Sequence, residues 1–444
     1  MRTGIAVVVA IQMLGMAASA AVIPVSPIDG AKVTLLPEAQ KKIMPFATHE
    51  ERVAEIKADG EKPKNERIYD KEVAMWRKSL PLNLEWRTTD GEAGPWKILI
   101  GKTPDLSDAT EIWINSRAAL KMSLTEKNPT GEKTEGKTHV FSYAVPRANL
   151  EIGRTYYWKV WSNVACRFPH GSTMNAKCQF CNGRQATPSE VASFVTEDLP
   201  PRWITMEGSV KNVRDLGGWK TLDGRRVKQG MVFRGSGLND GSVNGERPGP
   251  CRMTVEDMKY LRDVLGIKTE LDLRTDLEVG GMTKSPIGDD VKYVHRATSA
   301  YAGIFVVGDK AGEFNKHLCP DGKKAMAENF RVFCDRANYP IYFHCAGGAD
   351  RTGSLSYILL GVLGVSKHDV DVEWESTFYS GLAELSSTTK HWRSEQHFND
   401  GLDKYGDADT PLQRRIELYL LDCGVTQEEI ERFRSIMLAD SAEE

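Results

Sequence analysis

One stretch, "YFHCAGGADRTGSLSYILL" at residues 342–360, limits the fold of this chain more than any other. The apolar run Pro340-Ile-Tyr-Phe-His344 reads as a strand, Gly347 and Gly348 lie in the loop that follows, and Thr352-Gly353 opens an apolar helix expected over Ser354 to Val365. A strand, a glycine-containing loop and a helix N-terminus together make an anion cradle. Glycine lets successive amides turn inward, and the first turn of a helix leaves N–H donors unpaired. Arg351 adds a permanently charged planar fork that matches two phosphate oxygens. The same positive field favours the thiolate of Cys345, five residues before the arginine. A thiolate beneath a bound phosphate is placed for in-line attack, with a phosphocysteine splitting one displacement into two. Thr352 is expected to hydrogen-bond the sulfur, and His344 to fix the loop through backbone contacts. The spacing of Cys345 and Arg351 is weak alone, and the strand, loop and helix around it carry the reading. A buried structural cysteine would explain Cys345 but leave Arg351 and the glycines unaccounted for.

The remaining sequence gives this junction its setting. Lys and Arg number 58 against 61 Asp and Glu, a net charge of −3, and that near balance offers no electrostatic footprint for duplex nucleic acid. With 41% hydrophobic residues the chain can build cores, and eight cysteines in 444 residues are too few for a disulfide scaffold. Arg2, the apolar run from Ile5 to Met16 and Ala18-Ser19-Ala20 read as a signal peptide over residues 1–20, implying an exported protein, periplasmic or secreted. An uncleaved anchor is the alternative, because apolar character persists to Ile23. No later segment is apolar enough to span a bilayer, so no membrane span is expected after cleavage.

Residues 21–198 form an N-terminal extension and a β-rich region. Leu82/Leu84/Trp86, Trp96/Ile98/Ile100, Phe141/Tyr143/Val145 and Tyr156/Trp158/Val160 alternate with polar residues between turn signals, which predicts an antiparallel β-sandwich. Val33 to Leu36 reads as an edge strand and Glu50 to Lys78 as a surface helix or arm. Pro200-Pro201 is a stiff linker. Beyond it strands and helices alternate: a buried strand within 264–273, helices at Ala325 to Ala337 and Thr426 to Leu438. This predicts an α/β layer fold with the phosphate loop between strand and helix, over about 203–440.

"HCAGGADRTG" resembles the signature of the Cys-based protein tyrosine phosphatases. "NVRDLGG" at 212–218, "VFRGSGL" at 232–238, "LDLRTDLEV" at 271–279 and the closing "YLLDCGVTQEEIERFRSIML" resemble the bacterial, lipid phosphatase-like branch. The "LNLEWR", "GRTYYWKVW" and "SEVASFVTED" strands are similar to a fibronectin type III-like module. The phosphatase resemblance implies Cys345 as nucleophile, Arg351 as phosphate ligand and the amides of Ala346, Gly347, Gly348, Ala349, Asp350 and Arg351 as anion hole. It implies no cofactor. The Trp-Pro-Asp tripeptide that supplies the general acid in many relatives is missing, and "VHRATSAYAGIFVVG" after Tyr293 has no carboxylate. In the bacterial branch an Asp just before the arginine is assigned this work, and Asp350 matches it; the alternative is that Asp350 only accepts loop hydrogen bonds. Phosphoinositide-active relatives carry Lys where this chain has Ala349, which favours phosphotyrosine or a general phosphomonoester over a multiply phosphorylated head group. Asn212, Arg214, Asp215 and Arg274 are expected to brace the site from outside. The stretch 367–406, with Trp374, Phe378, Tyr379, Trp392 and Phe398, resembles a helical lid, with plain core packing as the alternative for each aromatic.

Cys166, His170, Cys178 and Cys181 fall in one polar insertion, which suits either a structural zinc or a disulfide; spacing does not decide between them. The expected partner is a phosphorylated protein or a small phosphomonoester. An inactive phospho-binding module and a rhodanese-like sulfurtransferase are the competing functions. Turnover of p-nitrophenyl phosphate without added metal, lost on Cys345→Ser, separates them.

Overall fold

The computed structural model describes residues 22–63, 66–67, 80–88, 95–114, 120–122, 139–145, 148–162, 187–298, 322–379, 399, 401–407 and 409–439. The chain divides into two compact units, Met1–Val33 with Asn83–Val145 and Thr155–Val195, and Thr34–Leu82 with Pro146–Arg154 and Thr196–Glu444.

The first unit is built from β1 (Val22–Ser26), β2 (Ala31–Val33), β3 (Leu82–Thr88), β4 (Trp96–Gly101), β5 (Thr110–Ile114), β6 (Leu120–Met122), β7 (His139–Val145), β8 (Thr155–Ser162), β9 (Thr187–Pro188) and β10 (Ala192–Thr196). One sheet has the order β1-β3-β7-β6; the other runs β2-β10-β8-β4-β5, with β9 on β8. Pairing is antiparallel at β1/β3, β6/β7, β10/β8, β8/β4 and β4/β5. Period-two alternation has the physical effect expected of it: Leu82, Leu84 and Trp86 are buried while Asn83 and Arg87 are exposed. Trp86 meets Trp96 edge-on at 5.2 Å between ring centroids, and Phe141 touches both rings. The insertion with Cys166, His170, Cys178 and Cys181 lies outside the described residues. Cys251, Cys334 and Cys345 form no disulfide among the described residues.

The second unit comprises α1 (Glu38–Ile43), α2 (His49–Gly60), β11 (Arg202–Trp203), β12 (Arg214–Asp215), β13 (Val232–Gly235), α3 (Val255–Lys259), β14 (Thr269–Asp272), α4 (Asp276–Val279), β15 (Lys292–His295), α5 (Gly322–Phe333), β16 (Ile341–His344), α6 (Asp350–Val362), α7 (Lys367–Tyr379), α8 (Leu412–Asp422) and α9 (Gln427–Met437). The sheet order is β11-β12-β13-β16-β14-β15, and β13, β16, β14 and β15 run parallel. Strand β16 is central and wholly buried, so the loop after His344 opens at the carboxyl ends of the parallel strands, where such sheets bind ligands. Residues 352–362 of α6 are buried all round, which explains the continuous apolar pattern. The helix begins at Asp350 because the apolar run marks its buried face and not its polar first turn. Capping boxes start α2 (Thr48/Glu51), α3 (Thr254/Asp257), α4 (Thr275/Glu278) and α9 (Thr426/Glu429).

The described part of 50–78, expected as a surface helix or arm, is helical in α2 but turns Arg52, Val53 and Asp59 inward, and the segment before it is buried as well. Ala39, Ile43 and Val53 are buried in the core of the second unit, and Gln40 Oε1 accepts from Trp203 Nε1 at 3.0 Å. Arg52 and His49 on α2 both reach Glu375 on α7, at 2.6 Å and 3.0 Å. Sparse apolar spacing concealed this because the buried face of α2 is held by ion pairs. Among the described residues no helix is long and apolar enough to cross a membrane.

Candidate active site

The loop between β16 and α6 holds Cys345 at its base, 3% exposed, with Ala346 exposed above it. Among the described residues no backbone carbonyl accepts from the amides of Ala346, Gly347, Gly348 or Ala349, and α6 begins without a side-chain cap. The loop runs into the positive end of a 13-residue helix. Gly348 has φ +69°, and a Cβ there would lie 2.3 Å from the Gly235 carbonyl oxygen, so glycine is required.

Burial pushes the Cys345 thiol up, but Arg351 and the hydroxyl and amide of Thr352 outweigh it and hold the thiol below its ordinary value, against a smaller opposing effect of Asp350. Thr352 Oγ1 is buried and otherwise without a hydrogen-bond partner. Asp350 is half-buried at the first position of α6, and its carbonyl accepts from Ser354 Oγ at 2.8 Å.

The sequence reading missed the partner of Arg351. Glu278 takes Nη1 at 2.6 Å and Nη2 at 2.8 Å, a bidentate clamp from the capping box of α4. Burial raises the Glu278 carboxyl, but the bonds from Arg351 and the Thr275 amide overcome it and hold the group at about 2. The signal was present in "LDLRTDLEV", where Thr275 and Glu278 have capping-box spacing.

Of the expected bracing residues, Asn212 bonds the loop directly, Arg214 bonds Asn212, and Arg274 is tied to Asp272 and Asn239. Asn212, at φ +60°, donates Nδ2 to Gly348 O at 2.8 Å and accepts from Arg214 through Oδ1. Arg214 pairs with Glu373 Oε1 at 2.6 Å; burial, then the neighbouring Arg234, lower it to about 9. Arg274 chelates Asp272 and donates Nη2 to Asn239 Oδ1 at 2.9 Å. Asp215 is the correction: Arg202 and the amides of Gly217 and Gly230 take its oxygens, so it braces the sheet edge and not the loop. Arg234, within the quoted "VFRGSGL", does what was expected of Asp215. It donates Nη2 to Gly348 O at 2.7 Å and Nη1 to Glu373 Oε2 at 2.6 Å.

His344 contacts the Cys345 carbonyl through Nδ1 at 3.1 Å, as expected, and Glu270 through Nε2 at 2.9 Å. Burial lowers its basicity, but Asp272 and Glu270 reverse the sign and raise it. Glu270, Asp272 and His344 place metal-ligand atoms within 4.8 Å of one another. Arg274 and the Tyr293 hydroxyl already occupy both Asp272 oxygens, so the cluster is a buried ion network beneath the strand ends. Trp374 is buried at 2% and packs on Tyr357 and against Gly353, which makes it core and not lid. The side chains of Phe378 and Tyr379, and Trp392 and Phe398, lie outside the described residues, as does the chain from 299 to 321 after β15.

A buried cysteine, loop amides with no backbone partner among the described residues and a clamped guanidinium follow one another in this loop. The chain belongs to the tyrosine phosphatase family, whose model matches residues 204–439. A candidate tyrosine-protein phosphatase of Cupriavidus necator is 25% identical over 179 residues, 36% of this chain; the chain spans 58% of that relative's length. The catalytic core of the PP-IP phosphatase Siw14 from S. cerevisiae, solved with citrate, is 14% identical with a TM-score of 0.23, covering 39% of this chain and 84% of that one. A second Siw14 core structure is 15% identical with a TM-score of 0.24, covering 40% and 81%.

Proposed function

We propose that the protein is an exported phosphatase that hydrolyses phosphomonoesters, protein phosphotyrosine first among them, through a phosphocysteine on Cys345. The observation that carries this reading is the lowered Cys345 thiol beneath unpaired loop amides, with Arg351 beside it. The amides of 346–351 and Arg351 grip the phosphoryl oxygens. The Cys345 sulfur forms a bond to phosphorus while the ester P–O bond breaks, and Asp350 protonates the departing oxygen. Asp350 then takes a proton from water as that water attacks phosphorus. The S–P bond breaks, inorganic phosphate leaves, and the Thr352 hydroxyl stabilises the sulfur it leaves behind.

The partly exposed clamp between Glu278 and Arg351 supports this assignment, because it fixes the plane of the guanidinium beside the loop. Export rests on the signal-peptide reading of residues 1–20. A fibronectin type III-like role for the first unit rests on its antiparallel strands, with the phosphatase domain at 203–440. A phosphoinositide or other small phosphomonoester is the second substrate reading, opposed for multiply phosphorylated head groups by Ala349. The deciding assay is p-nitrophenyl phosphate turnover without added metal by the full chain and by Cys345→Ser. Turnover lost in the variant, with phosphate trapped on the wild-type cysteine by acid quench, is expected. Equal turnover by both proteins refutes the mechanism.

A further inference from the structure

The segment from Ser236 to Arg252 runs along the phosphate loop. Gly237 donates its amide to Ala346 O at 3.1 Å, and Ser242 donates to Glu278 O at 2.9 Å, so the segment touches both sides of the site. Its ends are tied by Arg252 N to Leu238 O and Asp240 N to Pro250 O, each at 2.8 Å. This backbone delivers the Arg252 guanidinium to the loop rim, with Nη1 3.4 Å from Ala346 O and 3.5 Å from Gly237 O. Those contacts are long and weak. The partner of Arg252 is Asp240, bonded through Nε at 2.6 Å, with the Asp240 side chain 53% exposed and that of Arg252 26%. Arg234 and Arg351 are held by buried or half-buried carboxylates; the pair at Arg252 stands in water, where such pairs contribute little and exchange readily.

We propose that Arg252 is a specificity residue of this site, receiving a second anionic group on the substrate, phosphate or carboxylate, beside the phosphoryl group held over Cys345. The inference rests on the phosphatase reading of the loop. A guanidinium presents paired donors that match either anion, and a cation at the rim lowers the energy of a substrate carrying charge beyond the reacting phosphate. It supplies from the rim the positive charge that the loop lacks at Ala349. Asp240 holds the side chain in place between substrates and is displaced by the stronger double contact.

The test compares phenyl phosphate, 3-carboxyphenyl phosphate and 1,3-phenylene bisphosphate as substrates of the full chain, its Arg252→Gln variant and its Asp240→Asn variant. The readout is the ratio of kcat/KM for each doubly anionic ester to that for phenyl phosphate. Arg252→Gln is expected to lower the ratio about fivefold, the size of one exposed charge-assisted contact. Asp240→Asn, which removes the competing carboxylate, is expected to raise it about twofold. Rising salt should compress the wild-type ratio. Opposite movement in the two variants cannot come from a shared loss of stability. A fall confined to the bisphosphate or to the carboxylate identifies which anion Arg252 reads. An unchanged ratio in Arg252→Gln, or movement in the same direction in both variants, overturns the proposal. Absence of turnover of all three esters in the wild type overturns the phosphatase reading itself, and the proposal with it.

Discussion

Replacing Glu278 by Gln keeps the size of the side chain and one carbonyl acceptor but removes the charge that clamps Arg351 at 2.6 and 2.8 Å. Two effects then oppose each other. Loss of a nearby carboxylate makes the pocket more attractive to a phosphate dianion, while loss of the clamp lets the guanidinium rotate. The first acts on bound substrate and transition state alike. The second acts mainly where charge develops, because a preorganised fork is worth most there. We expect kcat to fall about 10- to 30-fold, the equivalent of about 1.4–2 kcal/mol, with KM changed less than about threefold. Stability gives an independent check. The Glu278 carboxyl lies at about 2 against an ordinary 4.5. At about 1.4 kcal/mol per tenfold the difference is bounded near 3 kcal/mol, and solvent screening of a partly exposed pair reduces it to about 1–2 kcal/mol. The folded value is depressed, so this stability is fully present above pH 4.5 and disappears as pH falls towards 2. Thermal melting of the two proteins should differ by about 2–6 °C at pH 7, and the gap should close in acid. Stopped assays with p-nitrophenyl phosphate and melting curves from pH 2 to 7 measure both. An unchanged kcat, or a loss carried entirely by KM, refutes the idea that Glu278 orients Arg351.

Thr352→Val removes the hydroxyl that favours the Cys345 thiolate, so the thiol rises and less of it is ionised in acid. Iodoacetamide should alkylate Cys345 about threefold to tenfold more slowly at pH 6 and at an equal rate in alkali, where both proteins are fully ionised; equal rates at pH 6 contradict the hydrogen bond. Asp350→Asn should lower kcat about 100-fold for phenyl phosphate, whose leaving oxygen needs a proton, and clearly less for p-nitrophenyl phosphate. Equal losses on both substrates, or an unchanged pH profile, would assign Asp350 to loop geometry alone.

The run that carries the proposed chemistry was legible in the sequence because its parts are neighbours along the chain. Strand, glycines, Cys345, Arg351 and helix are contiguous, and local backbone geometry alone turns such a run into an anion cradle. Alternation at period two likewise placed Leu84, Trp86, Trp96 and Trp158 inside the first unit. What holds that cradle in shape comes from far away in sequence. Glu278 reaches Arg351 across 73 residues, Arg234 reaches Gly348 across 114, and Arg52 on α2 reaches Glu375 across 323. Buried ion pairs have no periodicity, since each charged residue looks like a surface residue until its partner is brought to it. For that reason Asp215 and α2 were misjudged from sequence, and Arg252 at the rim was not visible at all. The local run sets what chemistry the loop can do; the packing of distant charged side chains decides which arginine is clamped, which is exposed, and where the next anion can bind.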